Sequence, residues 1–174
     1  MCIRDSYNKG FLTPDSISLI LTKAASRDIP VYVDPKKENF FSYQGVRLFK
    51  PNMTEFNSAL NRENDSKDFE NSGKVLRKKI GTQILMVTRG ERGISLFSDQ
   101  GMHTIETKAR KVHDVSGAGD TAISAFVLAD LAGATIEEAA QISNYAAGRV
   151  CEEVGVVPIT LEMLDEIVEH YNDH

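Results

Sequence analysis

The residues with the clearest chemical potential form the segment 114–120, Asp-Val-Ser-Gly-Ala-Gly-Asp, which precedes a stretch rich in small residues. Gly117 and Gly119 lack a Cβ, so their backbone can approach a ligand closely. Backbone amides at a helix N-terminus point outward at the positive end of the helix dipole and can hold a phosphate. Asp120 falls in the first turn, where a carboxylate would repel a phosphate unless it accepts a proton from an attacking hydroxyl. The segment therefore indicates phosphoryl transfer with Asp120 as the base.

Two other interpretations of this segment stay open. An aspartate in the first turn of a helix often only complements the dipole, and Gly-x-Gly often only makes a turn. The spacing of Gly117, Gly119 and Ala122 also fits the dinucleotide fingerprint of an oxidoreductase. That fingerprint requires a strand after its helix, whereas here the sequence continues into further helical segments. Binding of MgATP without binding of NAD would separate the kinase hypothesis from the oxidoreductase hypothesis.

Composition and charge exclude several classes of protein. The 174 residues are 41% hydrophobic and 26% charged, which excludes a disordered chain. A net charge of −5 argues against nucleic acid or an anionic membrane as a partner. The sequence has no apolar stretch long enough to span a bilayer and no histidine pattern typical of a metal site. The two cysteines, Cys2 and Cys151, form no disulfide framework, so we expect a cytoplasmic protein.

The elements that must position the 114–120 segment alternate between strands and helices. A capping threonine and a proline, Thr13 and Pro14, predict the start of the first helix. Thr135 and Glu138 form a capping box at the start of another, and Thr160 caps the last. Further helices are predicted around Phe56, after Phe69 and over 118–132, and strands over 31–33, 46–49, 84–87, 94–97 and 102–105, the last two as a hairpin. This order predicts an α/β fold with a mainly parallel sheet.

The 114–120 segment resembles the C-terminal signature of the PfkB-type (ribokinase-like) carbohydrate kinases. Five further segments are similar in order and spacing: 7–10, 33–36, 50–55, 88–93 and 151–155. The combination is most similar to the heptose-7-phosphate kinase branch, which acts in ADP-heptose synthesis. The resemblance implies a ribokinase-like α/β fold, with mainly parallel sheet flanked by helices, from which the N-terminal strands and the lid are missing. It implies ATP-dependent phosphorylation of heptose-7-phosphate to heptose-1,7-bisphosphate. The alternatives are another sugar or nucleoside kinase of the family, or an inactive nucleotide-binding fragment.

The resemblance also implies roles for the residues of the 114–120 segment. Asp120 would contact the sugar hydroxyl as the general base. The amides of Gly117, Ala118 and Gly119 would stabilise the transferring phosphoryl group. Asp114 and Ser116 resemble the ligands of a monovalent-cation site for K⁺, together with backbone carbonyls near 151–155.

Residues elsewhere in the chain would bind MgATP and the sugar phosphate. Asn52 and Glu55 would place Mg²⁺ and the phosphates through water, although Asn-x-x-Glu is also a capping box. Asn144 matches a position in the adenine pocket, against the simpler interpretation of a solvated helix residue. The turn along the ATP phosphates and ribose would contain Thr88, Gly90 and Gly93, which could equally form an ordinary turn before a hairpin.

Two lysines are candidates for contacts to phosphate. Lys36 would contact the nucleotide and Lys9 the sugar phosphate, against the simpler interpretation of solvated surface charges. The partners implied are therefore ATP and a small sugar phosphate.

The resemblance begins in the middle of the family pattern. Ser6 stands where the heptose branch has an aspartate, so we expect residues 1–6 to be a non-native leader. Residues 7–174 would then be the C-terminal, nucleotide-binding part of a single kinase domain. We expect the isolated chain to be inactive and prone to aggregation, and the full-length form to be a homodimer.

Overall fold

The computed structural model describes the backbone of residues 2–4, 11–61, 68–107 and 113–172, and the side chains of 11–61, 68–107 and 113–166. The chain divides into two units. The first unit is Met1–Arg89 with Ser95–His103, and the second is Gly90–Ile94 with Thr104–His174. Lys9 and its segment 7–10 lie outside the described residues, as do residues 62–67 and 108–112.

The described residues form a six-stranded sheet that contains the five predicted strands and one further strand, and neighbouring strands follow one another in chain order. The first four strands are parallel, with Tyr32 opposite Leu48 and Leu48 opposite Ile84. A two-residue turn joins β5 to β6, and so short a connection requires an antiparallel hairpin. The strands are β1 Cys2–Arg4, β2 Tyr32–Asp34, β3 Leu48–Phe49, β4 Ile84–Thr88, β5 Ile94–Ser98 and β6 Gly101–Ile105. The predicted α/β class with a mainly parallel sheet is therefore observed.

Some strand boundaries differ from the predicted ones. The strand predicted at 31–33 is β2, shifted by one residue so that it ends at Asp34, a buried carboxylate paired with a lysine. The strand predicted at 46–49 is reduced to the two residues of β3. β1 lies within the predicted leader and is parallel to β2; this pairing does not test whether the leader is native, which stays a prediction.

Helices of the first unit pack on one face of the sheet. Thr13 caps α1, Pro14–Ala25, through a capping box with Ser16, as Thr13 and Pro14 predict for the helix start. α2, Met53–Ala59, begins at Asn52, and α3, Phe69–Ile80, ends at Gly81 in the left-handed conformation. A short 3-10 helix spans Lys37–Ser42. The core includes Ile17 from α1, Phe56 from α2 and Leu76 from α3, packed with Val33 and Phe49 of the sheet.

The second unit contains the remaining helices. α4 is Ala118–Leu131, α5 is Ile136–Cys151 and α6 is Leu161–Asn172. Thr135 and Glu138 form the predicted capping box of α5, and the Thr160 hydroxyl accepts a bond from the Met163 amide at 3.3 Å. α4 packs closely against α5. Among the described residues, no helix is both long enough and apolar enough to cross a membrane.

Candidate functional site

The predicted side-chain ligands of the first unit meet at the carboxyl ends of its parallel strands, the edge where open α/β sheets bind ligands. Asn52 follows β3 and forms a parallel bridge with Thr88, the last residue of β4. Asn52 and Glu55 form a reciprocal capping box, in which the Asn52 amide donates to Glu55 Oε2 at 2.8 Å. Lys36 Nζ donates to Glu55 Oε1 at 3.2 Å. The fold therefore brings Lys36, Asn52, Glu55 and Thr88 together.

Both oxygens of the Glu55 carboxylate thus have a protein partner, which limits how it could bind a metal. Direct coordination of Mg²⁺ would compete with the capping bond and with the ion pair to Lys36. A carboxylate has about four lone-pair sites, so coordination through water leaves both contacts in place. The donor set therefore fits Mg²⁺ held through water. Among the described residues, no three His, Cys, Asp or Glu side chains cluster as a metal site.

A second ion pair at this edge was not predicted. Asp34 and Lys50 occupy facing positions just beyond the paired residues Val33 and Phe49. Lys50 Nζ lies 3.2 Å from Asp34 Oδ1, and the two side chains are only 3% and 7% exposed. Buried charges of this kind persist only when they are paired. We call Asp34, Lys36, Lys50, Asn52 and Glu55 the edge cluster.

In the second unit, the loop of residues 117–120 offers two of the three amides predicted to hold a phosphoryl group; the Ala118 prediction is corrected, because that amide already donates to a neighbouring carbonyl. Gly117 adopts φ +81° as the N-cap of α4, a conformation that favours glycine. The Ala118 amide donates to the Val115 carbonyl at 3.3 Å, and the Asp120 amide to the Gly117 carbonyl at 3.1 Å. Among the described residues, the amides of Gly117 and Gly119 have no acceptor. Asp120 is partly buried in the first turn.

Asp114 and Ser116 lie beside the end of α5, and their binding of a cation stays a prediction. The Ser116 amide donates to Asp114 Oδ1 at 2.8 Å, and the Asp114 and His113 amides donate to the Cys151 carbonyl at 3.3 and 2.8 Å. The bonds from Ser116, and a further one from the Gly155 amide, hold the pKa of Asp114 below its ordinary value. The Cys151 carbonyl is thus already occupied, so among these groups the Asp114 carboxylate is the better placed to accept a cation.

Gly90 and Gly93 close a tight turn in the second unit. The Gly93 amide donates to the Gly90 carbonyl at 2.9 Å. Gly93 has φ +77°, and a Cβ at this position would overlap the Ile105 carbonyl oxygen. Glycine at position 93 is therefore required by the close backbone approach, whatever the turn binds.

Asn144 is buried rather than solvated, with 5% of its surface exposed. Its Nδ2 donates to the Glu106 carbonyl at 2.9 Å, and its Oδ1 accepts a bond from the Thr107 hydroxyl at 3.2 Å. The adenine-pocket prediction for Asn144 stays a prediction, but the amide of this side chain is held by protein groups on both sides.

Comparison with known proteins identifies the family. The pfkB family of carbohydrate kinases matches residues 11–162. The chain belongs to this family. The pfkB relatives include the protein named Bifunctional protein HldE of Marinomonas sp. (strain MWYL1), 38% identical over 167 residues, which cover 95% of this chain and 35% of that protein. The HldE of Pseudomonas aeruginosa (strain LESB58) is 35% identical over 168 residues, covering 96% and 35%. The chain thus spans about a third of the length of these relatives.

Solved structures of other proteins share the fold. Phosphofructokinase-2 of Escherichia coli superposes with a TM-score of 0.88 at 19% identity, over 98% of this chain and 56% of that one. A ribokinase of Thermotoga maritima gives a TM-score of 0.77 at 21% identity, over 97% and 56%. The ribokinase-like fold predicted from the motifs is confirmed.

Three residues at these contacts were not predicted from the sequence. Lys50 stands in the predicted 50–55 motif, and its position after a buried strand was a usable signal. Ser143 is fully buried next to Asn144 and donates to the Ala122 carbonyl at 2.7 Å. Thr107 had no local signal, because its contact to Asn144 joins residues 37 positions apart.

Proposed function

We propose that this chain forms the nucleotide-binding part of an ATP-dependent kinase that phosphorylates a hydroxyl of a sugar phosphate. The membership in the pfkB family supports the reaction class. In the reaction, the bond between the γ-phosphorus and the bridging oxygen of ADP breaks, and a bond to the sugar oxygen forms. Asp120 accepts the proton of that sugar hydroxyl.

The observation that carries this proposal is the 117–120 loop. Gly117 and Gly119 offer two amides with no acceptor among the described residues, at the positive end of a 14-residue helix. Such amides stabilise the charge on a transferring phosphoryl group without reorganising during the reaction. Asp120 lies in the same turn of the helix, which supports its proposed role as the base.

For the acceptor we propose heptose-7-phosphate, converted to heptose-1,7-bisphosphate. The motifs resemble the heptose branch, and the relatives named HldE are 34–38% identical over nearly the whole chain. A different sugar is the second candidate, because the solved neighbours include phosphofructokinase-2 in complex with fructose-6-phosphate and a plant ribokinase with ribose and ATP. These neighbours are 18% and 23% identical, so they support the fold more than the acceptor.

Two cations are part of the proposal. Mg²⁺ would be held through water by Asn52 and Glu55, and it would neutralise charge on the phosphates. K⁺ would be held by the Asp114 carboxylate with Ser116, and a phosphofructokinase-2 structure is described as a complex with potassium. The boundary at residue 7, the homodimer and a contact of Lys9 with sugar phosphate remain proposals for a full-length protein.

The function is tested by replacing the base. In a full-length protein that contains this chain, Asp120→Asn should lower kcat by about 10²–10⁴-fold while ATP binding is unchanged. Asp165→Asn, an exposed aspartate on α6, is the matched control and should keep full turnover. Product formation is followed by mass spectrometry with heptose-7-phosphate, fructose-6-phosphate and ribose. Near-normal turnover of Asp120→Asn would contradict the assignment of the base, and preference for another sugar would correct the acceptor.

A further inference from the structure

Two backbone segments of the second unit are proposed to contact ATP, the 90–93 turn and the 117–120 loop. They are far apart in sequence, yet a chain of contacts through α5 joins them. At one end, the turn packs on the end of β6, because Gly93 lies so close to the Ile105 carbonyl that a Cβ has no space. A displacement of residues 105–107 would therefore displace the turn.

Asn144 holds this strand end to α5. Its Nδ2 donates to the Glu106 carbonyl at 2.9 Å, which fixes the orientation of the amide because a carbonyl accepts only from the nitrogen. Its Oδ1 then accepts from the Thr107 hydroxyl at 3.2 Å. The Gly90 carbonyl lies 3.4 Å from the same hydroxyl, so Thr107 stands between the turn and Asn144.

Ser143, the neighbour of Asn144, holds α5 to α4. Its hydroxyl donates to the Ala122 carbonyl at 2.7 Å, and the side chain is fully buried. Ala122 follows directly after Thr121, whose amide donates to the Gly117 carbonyl at 2.9 Å. The contact therefore reaches α4 within five residues of Gly117.

We propose that Ser143 and Asn144 are positioning residues that set the spacing between the 90–93 turn and the 117–120 loop. The functional half of this inference rests on the function proposed above. Asn144 then acts on the nucleotide through the backbone of the turn, because its amide is held by Glu106 and Thr107 and is 5% exposed. A ligand that spans both segments, such as ATP, requires the correct spacing, whereas a ligand that contacts only one segment does not.

The first experiment separates positioning from direct contact with adenine. Thr107→Val keeps the shape of the side chain but removes the hydroxyl that donates a hydrogen bond to Asn144 Oδ1. Thr107→Ser keeps this hydroxyl. In a full-length protein that contains this chain, Thr107→Val should weaken ATP binding about tenfold by calorimetry and leave adenosine binding unchanged, since a misplacement of about 1 Å can cost up to 100-fold. Thr107→Ser should bind ATP as the wild type does, and so should Thr104→Val, the same substitution at an exposed position of β6. Equal losses for ATP and adenosine would overturn the proposal.

The second experiment tests the connection without any nucleotide, so it gives a result even if the chain binds no ATP. Amide hydrogen exchange is measured at Gly93 in the turn and at Asp120 and Thr121 at the start of α4. Thr107→Val and Ser143→Ala should each raise exchange at both ends, because each variant releases the same chain of contacts. Exchange that rises only on the side of the substitution would overturn the inference. Failure of wild-type ATP binding with exchange rising at both ends would count against the proposed function alone.

Discussion

The edge cluster of the first unit and the 117–120 loop of the second use different chemical groups: charged side chains in the cluster and backbone amides in the loop. In the edge cluster, charged side chains neutralise each other: Lys50 pairs with Asp34, and Lys36 pairs with Glu55. In the loop, the backbone itself offers hydrogen-bond donors, and the amides of Gly117 and Gly119 have no acceptor among the described residues. The side chains of the first region pair with each other, whereas we propose that an anion accepts the two donors of the second.

This difference predicts how each region responds to substitution. A buried ion pair is costly to break from one side, because the remaining charge stays in a low-dielectric environment. The loop should lose little stability when its proposed ligand is absent, whereas a shift of its backbone should weaken binding. Changes at the edge cluster should therefore reduce stability, and changes at the loop should reduce phosphate affinity.

The largest effect is expected at the buried pair. Lys50→Met leaves the Asp34 carboxylate buried without its partner, so the free energy of unfolding should fall by about 3–5 kcal/mol. The measurement is urea unfolding monitored by circular dichroism. A loss below about 1 kcal/mol would show that the pair is solvated and that the charges of the edge cluster do not depend on each other.

The matched control replaces both partners. Asp34→Leu combined with Lys50→Met removes both charges and fills a similar volume, and such replacements are often neutral or stabilising. The double variant should therefore be more stable than Lys50→Met alone. A double variant as unstable as the single one would attribute the loss to packing rather than to the unpaired charge.

The next effect lies at the turn of the second unit. Gly93→Ala places a Cβ against the Ile105 carbonyl in a backbone conformation with φ +77°, and should lower the free energy of unfolding by about 3 kcal/mol. Gly90→Ala is the control, because Gly90 has φ +60° with open space around its Cβ, and it should cost only about 1 kcal/mol. Equal losses in the two variants would contradict the close approach of residues 93 and 105.

The smallest expected effect is the response of Asp114 to low pH. The pKa of Asp114 lies below its model-peptide value of 3.8 because the Ser116 and Gly155 amides donate to the carboxylate. Because this pKa is lower in the folded than in the unfolded state, the ionised carboxylate stabilises the folded protein above the unfolded-state pKa. That stabilisation is lost as the pH falls through the folded-state pKa. Below about pH 4, the Ser116 amide resonance should therefore titrate in NMR spectra, and Asp114→Asn should remove that titration. A Ser116 resonance that is equally pH-dependent in the variant would exclude Asp114 as the cause.

Local signals in the sequence were sufficient for much of the fold. Thr13, Asn52 and Thr135 each begin the observed helix, because a capping residue acts on amides within three positions. The strand predicted at 84–87 is observed as part of β4, and its uninterrupted apolar residues are typical of a parallel strand buried on both faces. The end of β2 at Asp34 could not be predicted locally, because that carboxylate is tolerated only through Lys50, 16 positions later.

The candidate site also contains residues that local sequence signals could predict and residues that they could not. Gly117, Gly119 and Asp120 could be predicted because consecutive residues form the loop. The environment of Asn144 could not, since its partners Glu106 and Thr107 come from the end of a distant strand. Side chains that act through long-range contacts leave no spacing that a single sequence reveals.

We propose that the amides of Gly117 and Gly119 bind the terminal phosphate of ATP. A ¹⁵N-labelled full-length protein that contains this chain is titrated with a non-hydrolysable ATP analogue and Mg²⁺, and separately with AMP, while individual amide resonances are followed. Large downfield proton shifts are expected at Gly117 and Gly119 with the triphosphate and none with AMP. Saturated binding of the analogue that leaves both resonances unmoved would contradict it.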